Sequence, residues 1–451
     1  MPTEAQLGVE PRLRLLRDAL ESGTLLRVQQ MVHSLHPSET ADLLESLPQP
    51  EREVVWDLVE SDDEGDILLE LNDEVRAKLI DGMEADELIA AAEGLELDDL
   101  ADLAADLPEA VLRQVLQSMD HQDQERLQTV MAYPEDSAGG LMDPGVVTIR
   151  SDVTLDVVLR YLRMQGELPL HTNALFVVNR YDRYLGTLYL GTLLTEDPSR
   201  TVSELMDTQI EGIPADTTAA EVAQLFEDRD LVTAPVTGPD GRLVGRITVD
   251  DVVDVIRDQA DHSIMSMAGL DEDEDMFAPV ITSSRRRAVW LGVNLATAFL
   301  ASSVVGLFQA TINQIVALAV LMPIVASMGG IAGSQTLTLM IRGLALGQVQ
   351  DSNARWLLGR EIAVGILNGI AWAAVVSAAT IAWFKSWELG GIIGLAMVAN
   401  LVVAAASGVL VPLTLKRLQI DPALAGGVLL TTITDVFGFL AFLGLAALLL
   451  T

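Results

Sequence analysis

The chain of 451 residues contains no cysteine. Disulfides and thiolate metal sites are therefore excluded. Histidine is scarce: the five are His33, His36, His121, His171 and His262, and none lies in the apolar C-terminal part. Transition-metal pathways favour imidazole or thiolate, so an ion held in that part must be held by oxygen, which suits a hard cation. No GxxxxGK[ST] phosphate loop and no nucleophile–base constellation occurs, so an enzyme is not expected. Basic residues are few, 28 Lys+Arg against 65 Asp+Glu, for a formal charge of −37. Such a surface repels nucleic acid and anionic headgroups and attracts cations. The N-terminus is polar with no early apolar run, so no signal peptide is expected.

The charge is segregated. From Ser284 onward there are 9 basic and 5 acidic residues; the first 283 residues carry 19 basic and 60 acidic, a net of −41. A very acidic soluble part thus precedes a long apolar part. The apolar part holds five runs of bilayer-spanning length, about 20 residues or more: Ala288–Phe308, Gln314–Ile341, Trp356–Phe384, Leu389–Leu415 and Ala423–Leu450. Pro323 and Pro412 predict breaks in the second and fourth. Arg285, Arg286, Arg287, Arg342, Arg355, Arg360, Lys416 and Arg417 flank the spans on one side and Lys385 alone on the other. By the positive-inside rule the acidic part is cytoplasmic and the C-terminus faces outside. Gly365/Gly369 and Gly390/Gly394 have GxxxG spacing and predict close helix packing.

Two polar islands interrupt the apolar part. In "TTITDVFGF" a single carboxylate, Asp435, sits where burial in hydrocarbon costs about 3 kcal/mol or more, so it should face a bundle interior or a water-filled path. Thr431 shares its helix face, Thr432 and Thr434 add hydroxyls, and Gly438 is expected to open space beside it. A partner such as Arg360 is the alternative to a pathway role. In "MGGIAGSQTLT", Gly329, Gly330 and Gly333 allow close backbone approach, while Ser334, Gln335, Thr336 and Thr338 supply oxygens. Together the islands suggest an oxygen-lined path.

The acidic part changes character along its length. Residues 1 to about 132 are short amphipathic helices punctuated by Pro48 and Pro108, as in "LHPSETADLLESLP" and "LELDDLADLAADLP", and read as a small helical superhelix. His33 and His36 have no further ligand nearby and read as structural or surface residues. From about Asp136 to Gln259, strands alternate with helices. "ALFVVN" and "YLGTLYL" flank a turn, and "APVTGPDGRLVGRITVDDVVDVI" repeats the plan roughly 60 residues later, an internal duplication. Residues 259–284 connect the two parts; they begin as a helix extension, and their "DEDED" run, Asp271–Asp275, reads as a solvated loop.

"YPEDSAGGLM", "GRLVGRITVDDV", "PIVASMGGIAGSQTLTLMIRGLALG", "DPALAGG" and "TTITDVFGF", in that order and with five spans, resemble the MgtE magnesium channel family over nearly the whole chain. The resemblance implies a multi-domain membrane protein: an acidic helical N-domain (1–132), a first CBS domain (136–200), a second (201–258), a connecting helix and linker (259–284) and an all-α membrane domain of five transmembrane helices (285–451). It implies a homodimeric, magnesium-selective channel in a bacterial-type inner membrane, importing Mg2+ through a pore lined by the second and fifth spans. Asp435 matches the family's pore aspartate, and Ser334, Thr338 and Thr431 match positions around the hydrated ion. Ile331 stands where the family usually has Asn.

The same resemblance implies that internal Mg2+ bridges acidic cytoplasmic faces and closes the pore. By matching position the sensor residues are Asp99 and Asp102 in the N-domain, Asp230, Asp251 and Asp254 in the second CBS domain and following helix, and Asp421 before the fifth span. Gln259 and His262 stand where further acids are expected. CBS domains also bind adenine nucleotides such as ATP, and Thr248 and Asp251 have the T-x-x-D spacing that such sites use; the first copy lacks it. A magnesium exchanger driven by Na+ or H+ is the alternative, although five spans cannot contain an even inverted repeat. A CBS scaffold on a passive anchor would need neither Asp435 nor the glycine island.

Overall fold

The computed structural model describes residues 9–21, 25–166, 168–169, 171–271, 274–350 and 352–450. The chain divides into two compact units, Met1–Ala260 with Asp273–Ala278, and Asp261–Glu272 with Pro279–Thr451. The polar N-terminus (residues 1–8) lies outside the described residues, as do residues 272 and 273 of the acidic run.

The first unit opens with helices α1 (Val9–Glu21), α2 (Leu25–Val32), α3 (Pro37–Glu45), α4 (Gln49–Trp56), α5 (Glu64–Glu70), α6 (Asp73–Ile80), α7 (Ala85–Glu93), α8 (Leu97–Asp106), α9 (Glu109–Ser118) and α10 (His121–Val130). Short polar caps set this rhythm. Asn72 Oδ1 accepts from Val75 N–H to start α6, and Asp120 accepts from Gln122 and Asp123 to start α10; each cap satisfies amides that the first turn leaves open. Pro48 and Pro108 precede the first turns of α4 and α9, where a missing N–H costs nothing. α3 packs on α5, α5 on α7 and α7 on α9, so alternate helices stack in the solenoid manner expected from the leucine spacing. Leu44, Leu68, Leu103 and Leu127 are fully enclosed. His36 caps α3, and exposed His33 pairs with Glu60 at 3.0 Å.

A duplicated α/β module follows. The first copy contains β1 (Thr148–Arg150), α11 (Leu155–Gln165), β2 (Ala174–Val178), β3 (Tyr184–Tyr189), α12 (Leu190–Thr195) and α13 (Val202–Leu205). The second contains β4 (Ile213–Pro214), α14 (Ala219–Arg229), β5 (Thr233–Thr237), β6 (Leu243–Thr248) and α15 (Val249–Ala268). Both sheets pair the first strand parallel to the second and the second antiparallel to the third, with a register shift at the same place, Val177/Val178 and Val236/Thr237. The duplication legible in the sequence is therefore repeated down to the bulge. Asp143 and Arg246 pair at 2.9 Å, both nearly fully buried.

One expectation fails in this unit. Asp275, assigned to a solvated loop, is buried against α4. Arg52 Nη1 and Nη2 donate to its two carboxylate oxygens at 3.0 and 3.2 Å, Lys78 Nζ donates at 3.2 Å, and its own N–H donates to Glu74. Arg52 also donates to the carbonyls of Leu44 and Leu47. Burial works to raise the Asp275 carboxyl, but Arg52 and Lys78 hold it below its ordinary value. A charge count cannot show this, because five consecutive acids look alike until one meets a buried guanidinium.

The second unit contains α16 (Val280–Leu307), α17 (Gln309–Gln314), α18 (Ala317–Ala345), α19 (Ala354–Phe384), α20 (Trp387–Arg417) and α21 (Pro422–Leu450). All but α17 are long and apolar enough to cross a membrane. The second span begins at Ala317, since Gln314 ends α17. α16 starts before the apolar run, so Arg285–Arg287 lie within it. α18 and α20 run unbroken through Pro323 and Pro412, contrary to the expected breaks; packing against neighbouring helices carries them through. The GxxxG pairs do pack closely: a Cβ at Gly365 would lie 2.9 Å from that of Ala405, and one at Gly394 2.4 Å from Ser377 Oγ.

Removing Asp275 leaves the Arg52 guanidinium buried without its counter-charge. Asp275→Ala is expected to destabilise the first unit by about 3–5 kcal/mol, whereas Arg52→Met with Asp275→Leu costs much less. Hydrogen exchange of α4 in the full chain measures both.

Candidate functional site: a membrane cavity and a cytoplasmic acid cluster

α18 and α21 bring the two polar islands together. They line a cavity of about 1040 Å³ with Ser327, Gly330, Ile331, Ser334, Gln335, Thr338, Thr431 and Asp435 among its walls. All four residues nominated for the path, Asp435, Ser334, Thr338 and Thr431, share it. Helical spacing explains the grouping, since 327, 331, 334 and 338 fall on one face of α18, and 431 and 435 on one face of α21. The Ser334 hydroxyl donates to Gly330 O at 2.9 Å and Thr431 to Gly427 O at 3.0 Å. Each helix thus satisfies its hydroxyl hydrogens, and the oxygens remain to accept from water or face a cation. Among the described residues Asp435 has no hydrogen-bond or ion-pair partner. Arg360 is engaged by Glu361 at 2.5 Å, which removes the arginine alternative.

Neighbouring positions behave differently from expectation. Thr434 is fully buried and donates to Thr431 O, and Thr432 donates to Val428 O, so neither lines the cavity. Gly438 does not open space beside Asp435. The amide of Asn400 fills that space, 2.8 Å from where a Cβ would stand. Gly329 meets the same amide, Gly333 meets Leu430, and Gly330 alone of the three faces open space. Sequence reasoning also missed Glu361, which is 5% exposed and accepts from Thr336 at 3.1 Å. A buried carboxylate next to Arg360 reads as a span-end ion pair until Thr336 is placed against it.

The second assembly lies in the first unit. Asp98, Asp99 and Asp102 on α8 converge with Glu96, Asp143 and Asp251. Carboxylate oxygens of Glu96, Asp98 and Asp143 all lie within 4.8 Å of one another. Burial and then the negative neighbours Asp98, Asp102, Glu96 and Asp251 push Asp99 up to about 7. Burial, opposed by hydrogen bonds from Thr248 and reinforced by Asp98, pushes Asp251 up to about 7. Burial and Asp143 push Asp98 up to about 6. Crowding by surrounding protein and Asp98 push Asp102 up to about 6, although its side chain keeps access to solvent. Of the nominated sensor acids, Asp99, Asp102 and Asp251 meet here. Asp230 does not; it ends α14 with φ of 51° and is exposed. Asp254 faces Glu70 instead. In the second unit, Asp421 caps α21 through Ala423 and Leu424 N–H and lies 3.4 Å from His262 Nε2.

The T-x-x-D pair is closed on itself. Thr248 N–H and Oγ1 both donate to Asp251 Oδ2, at 3.1 and 3.0 Å. A cavity of about 520 Å³ nearby is lined by Pro169, His171, Thr172, Asn173, Thr248 and Asp250, among others, but not by Asp251. Asn173 Oδ1 is buried there without a partner.

Comparisons with known proteins agree with this layout. Residues 322–445 match the family model described as divalent cation transporter (MgtE), 35–136 the MgtE intracellular N domain, and 138–198 and 202–258 the CBS domain. A magnesium transporter MgtE of Thermus thermophilus is 31% identical, over 96% of this chain and 98% of that one. The chain belongs to the MgtE family. The magnesium transporter MgtE of Bacillus subtilis is 29% identical over 96% of this chain and 95% of its own length. Among solved structures, the cytosolic domain of an Mg2+ channel MgtE in complex with ATP is 32% identical, covering 54% of this chain and 99% of that one at a TM-score of 0.48. With its five apolar helices, this MgtE-family chain is a multi-pass membrane protein.

The acid cluster makes the family member sensitive to pH. Unfolded aspartates titrate near 4, so between about pH 4 and 7 these four aspartates hold more protons in the folded protein than in the unfolded one. Its stability therefore falls as pH rises through that window; the penalty is absent below the unfolded value and complete above the folded one. In chelator, thermal unfolding of the full chain is expected to move upward on going from about pH 8 to about pH 5.5. Asp99→Asn should flatten that dependence and raise stability at the alkaline end.

Proposed function

We propose that the protein imports Mg2+ as a passive channel through the cavity between α18 and α21, and that the acidic first unit closes it when internal Mg2+ is high. One observation carries this reading: Asp435, a carboxylate with no hydrogen-bond or ion-pair partner among the described residues, lines an open cavity between apolar helices together with the hydroxyls of Ser334, Thr338 and Thr431. Mg2+ keeps its water reluctantly exchanged and its octahedron intact. Asp435 holds the hydrated ion electrostatically, while Ser334, Thr338 and Thr431 accept hydrogen bonds from its water. The membrane potential drives entry at about 2.3 kcal/mol per charge per 100 mV, so no ATP hydrolysis is needed. The basic flanks of the spans support a cytoplasmic acidic part and an outward C-terminus.

Regulation follows from the same chemistry. Asp99, Asp102 and Asp251, with Glu96, Asp98 and Asp143, repel when ionised, and a divalent cation offsets the repulsion and draws α8 and the base of α15 together. Asp230, Asp254 and Asp421 supply further acidic faces. The functional partition is the acidic N-domain, two CBS domains, the connecting helix with its linker, and the membrane domain. Family membership supports a homodimer, in which a second copy walls the exposed side of the cavity at Ile331 and Leu339. ATP is assigned to the CBS cavity at Thr248, with the base edge near Asn173.

The test uses the full chain in proteoliposomes with a potassium diffusion potential and no sodium or proton gradient. Wild type is expected to take up Mg2+, and Asp435→Asn to lose about tenfold or more of that flux. Uptake that requires a sodium or proton gradient would instead establish an exchanger.

A further inference from the structure

Asn400 stands in α20, is 0% exposed, and lies among apolar neighbours. Its Nδ2 donates to Val325 O on α18 at 2.9 Å, while its Oδ1 is buried without a partner. Packing alone does not select such a residue, because a leucine would fill the volume without stranding a polar atom. The distinguishing feature is where the amide sits. A Cβ at Gly329 of α18 would lie 2.2 Å from Nδ2, and one at Gly438 of α21 would lie 2.8 Å from it. Two helices therefore reach the same amide with bare backbone. Gly329 adjoins Gly330 on the cavity wall, and Gly438 is one turn beyond Asp435 on the other wall.

We propose that Asn400 is a positioning residue that sets the separation of α18 and α21 at the level of Asp435, and thereby the cavity's discrimination among hydrated divalent cations. The second half rests on the proposed transport role of the cavity. The hydrogen bond to Val325 O holds the amide in place, with its Nδ2 the atom nearest to both glycines. Mg2+ and Ca2+ differ in how rigidly they hold their ligands, so a change in wall separation alters their ratio more than it alters folding.

The absence of cysteine makes the separation measurable. Val320 on α18 and Leu440 on α21 are exposed and do not line the cavity. Spin labels on Val320→Cys and Leu440→Cys, in the full-length protein with unlabelled partners in excess, report the distance between the helices. Asn400→Ala is expected to shorten it and Gly438→Ala to lengthen it, with the double substitution returning it toward wild type. The Mg2+:Ca2+ flux ratio per folded molecule should change by about threefold or more in each single variant and recover in the double. Asn400→Ser, which keeps a donor for Val325 O, replaces Asn400→Ala if that protein fails to fold. Distances unchanged in Asn400→Ala or Ser and in Gly438→Ala would overturn the proposal. Shifted distances with an unchanged flux ratio would overturn its selectivity half. Shifted distances in the variants, together with a wild type that carries no divalent flux, would keep the spacer and overturn the transport reading.

Discussion

A carboxylate half-buried between apolar helices calls for a compensating positive charge, and the reading of the membrane half turns on which charge that is. Basic side chains are excluded by position: Arg360 is held by Glu361, and the remaining bases stand at helix ends. What Asp435 has instead is water-accessible oxygen around it and a cavity large enough for an ion with its hydration shell. The surroundings of the cavity serve that constraint. Serine and threonine hydroxyls bond back to their own helices, so they offer lone pairs, and the glycines let a buried amide define the distance between the walls.

The same electrostatic problem is posed at the other end of the chain and left open on purpose. Aspartates crowded on α8 and at the start of α15 have protonation equilibria lifted toward neutrality. Near neutral pH they are caught between holding protons and repelling one another, which is the situation that the proposed divalent cation would relieve. Arg52 and Asp275 are the contrasting case. There the compensation is built in and permanent, which suits an anchor for the linker segment, whereas around α8 the acids outnumber the bases that reach them, Arg246 on Asp143 and Arg76 near Asp102, which suits a cation-responsive cluster.

The sequence showed the charge segregation, the five spans, the duplicated module and the residues that line the membrane cavity because each rests on periodicity or on a rare residue type in an improbable place. Asp435 stands out because hydrocarbon makes any carboxylate conspicuous. Asn400 and Glu361 were illegible for the opposite reason. An amide in an alanine-rich span and an acid beside an arginine both have ordinary explanations, and only tertiary contact with Gly329, Gly438 and Thr336 gives them roles. Asp143 joined the acid cluster from a chain segment far from α8 in sequence, and Glu96, beside Asp98, looked like ordinary surface charge until Asp143 was placed against it. Asp275 was misassigned because composition describes a run as a whole, whereas a buried partner selects one member of it. Pro323 and Pro412 misled because local propensity yields to packing inside a helical bundle.

The most direct measurement is ionic current in excised membrane patches containing the full chain, with Mg2+ on the cytoplasmic face stepped from near zero to tens of millimolar. The account predicts unitary openings at low Mg2+ that cease as Mg2+ rises, with closure shifted to higher Mg2+ when Asp99 and Asp251 are replaced by asparagine. A wild-type protein that moves Mg2+ with no unitary current, or whose openings ignore cytoplasmic Mg2+, would contradict it.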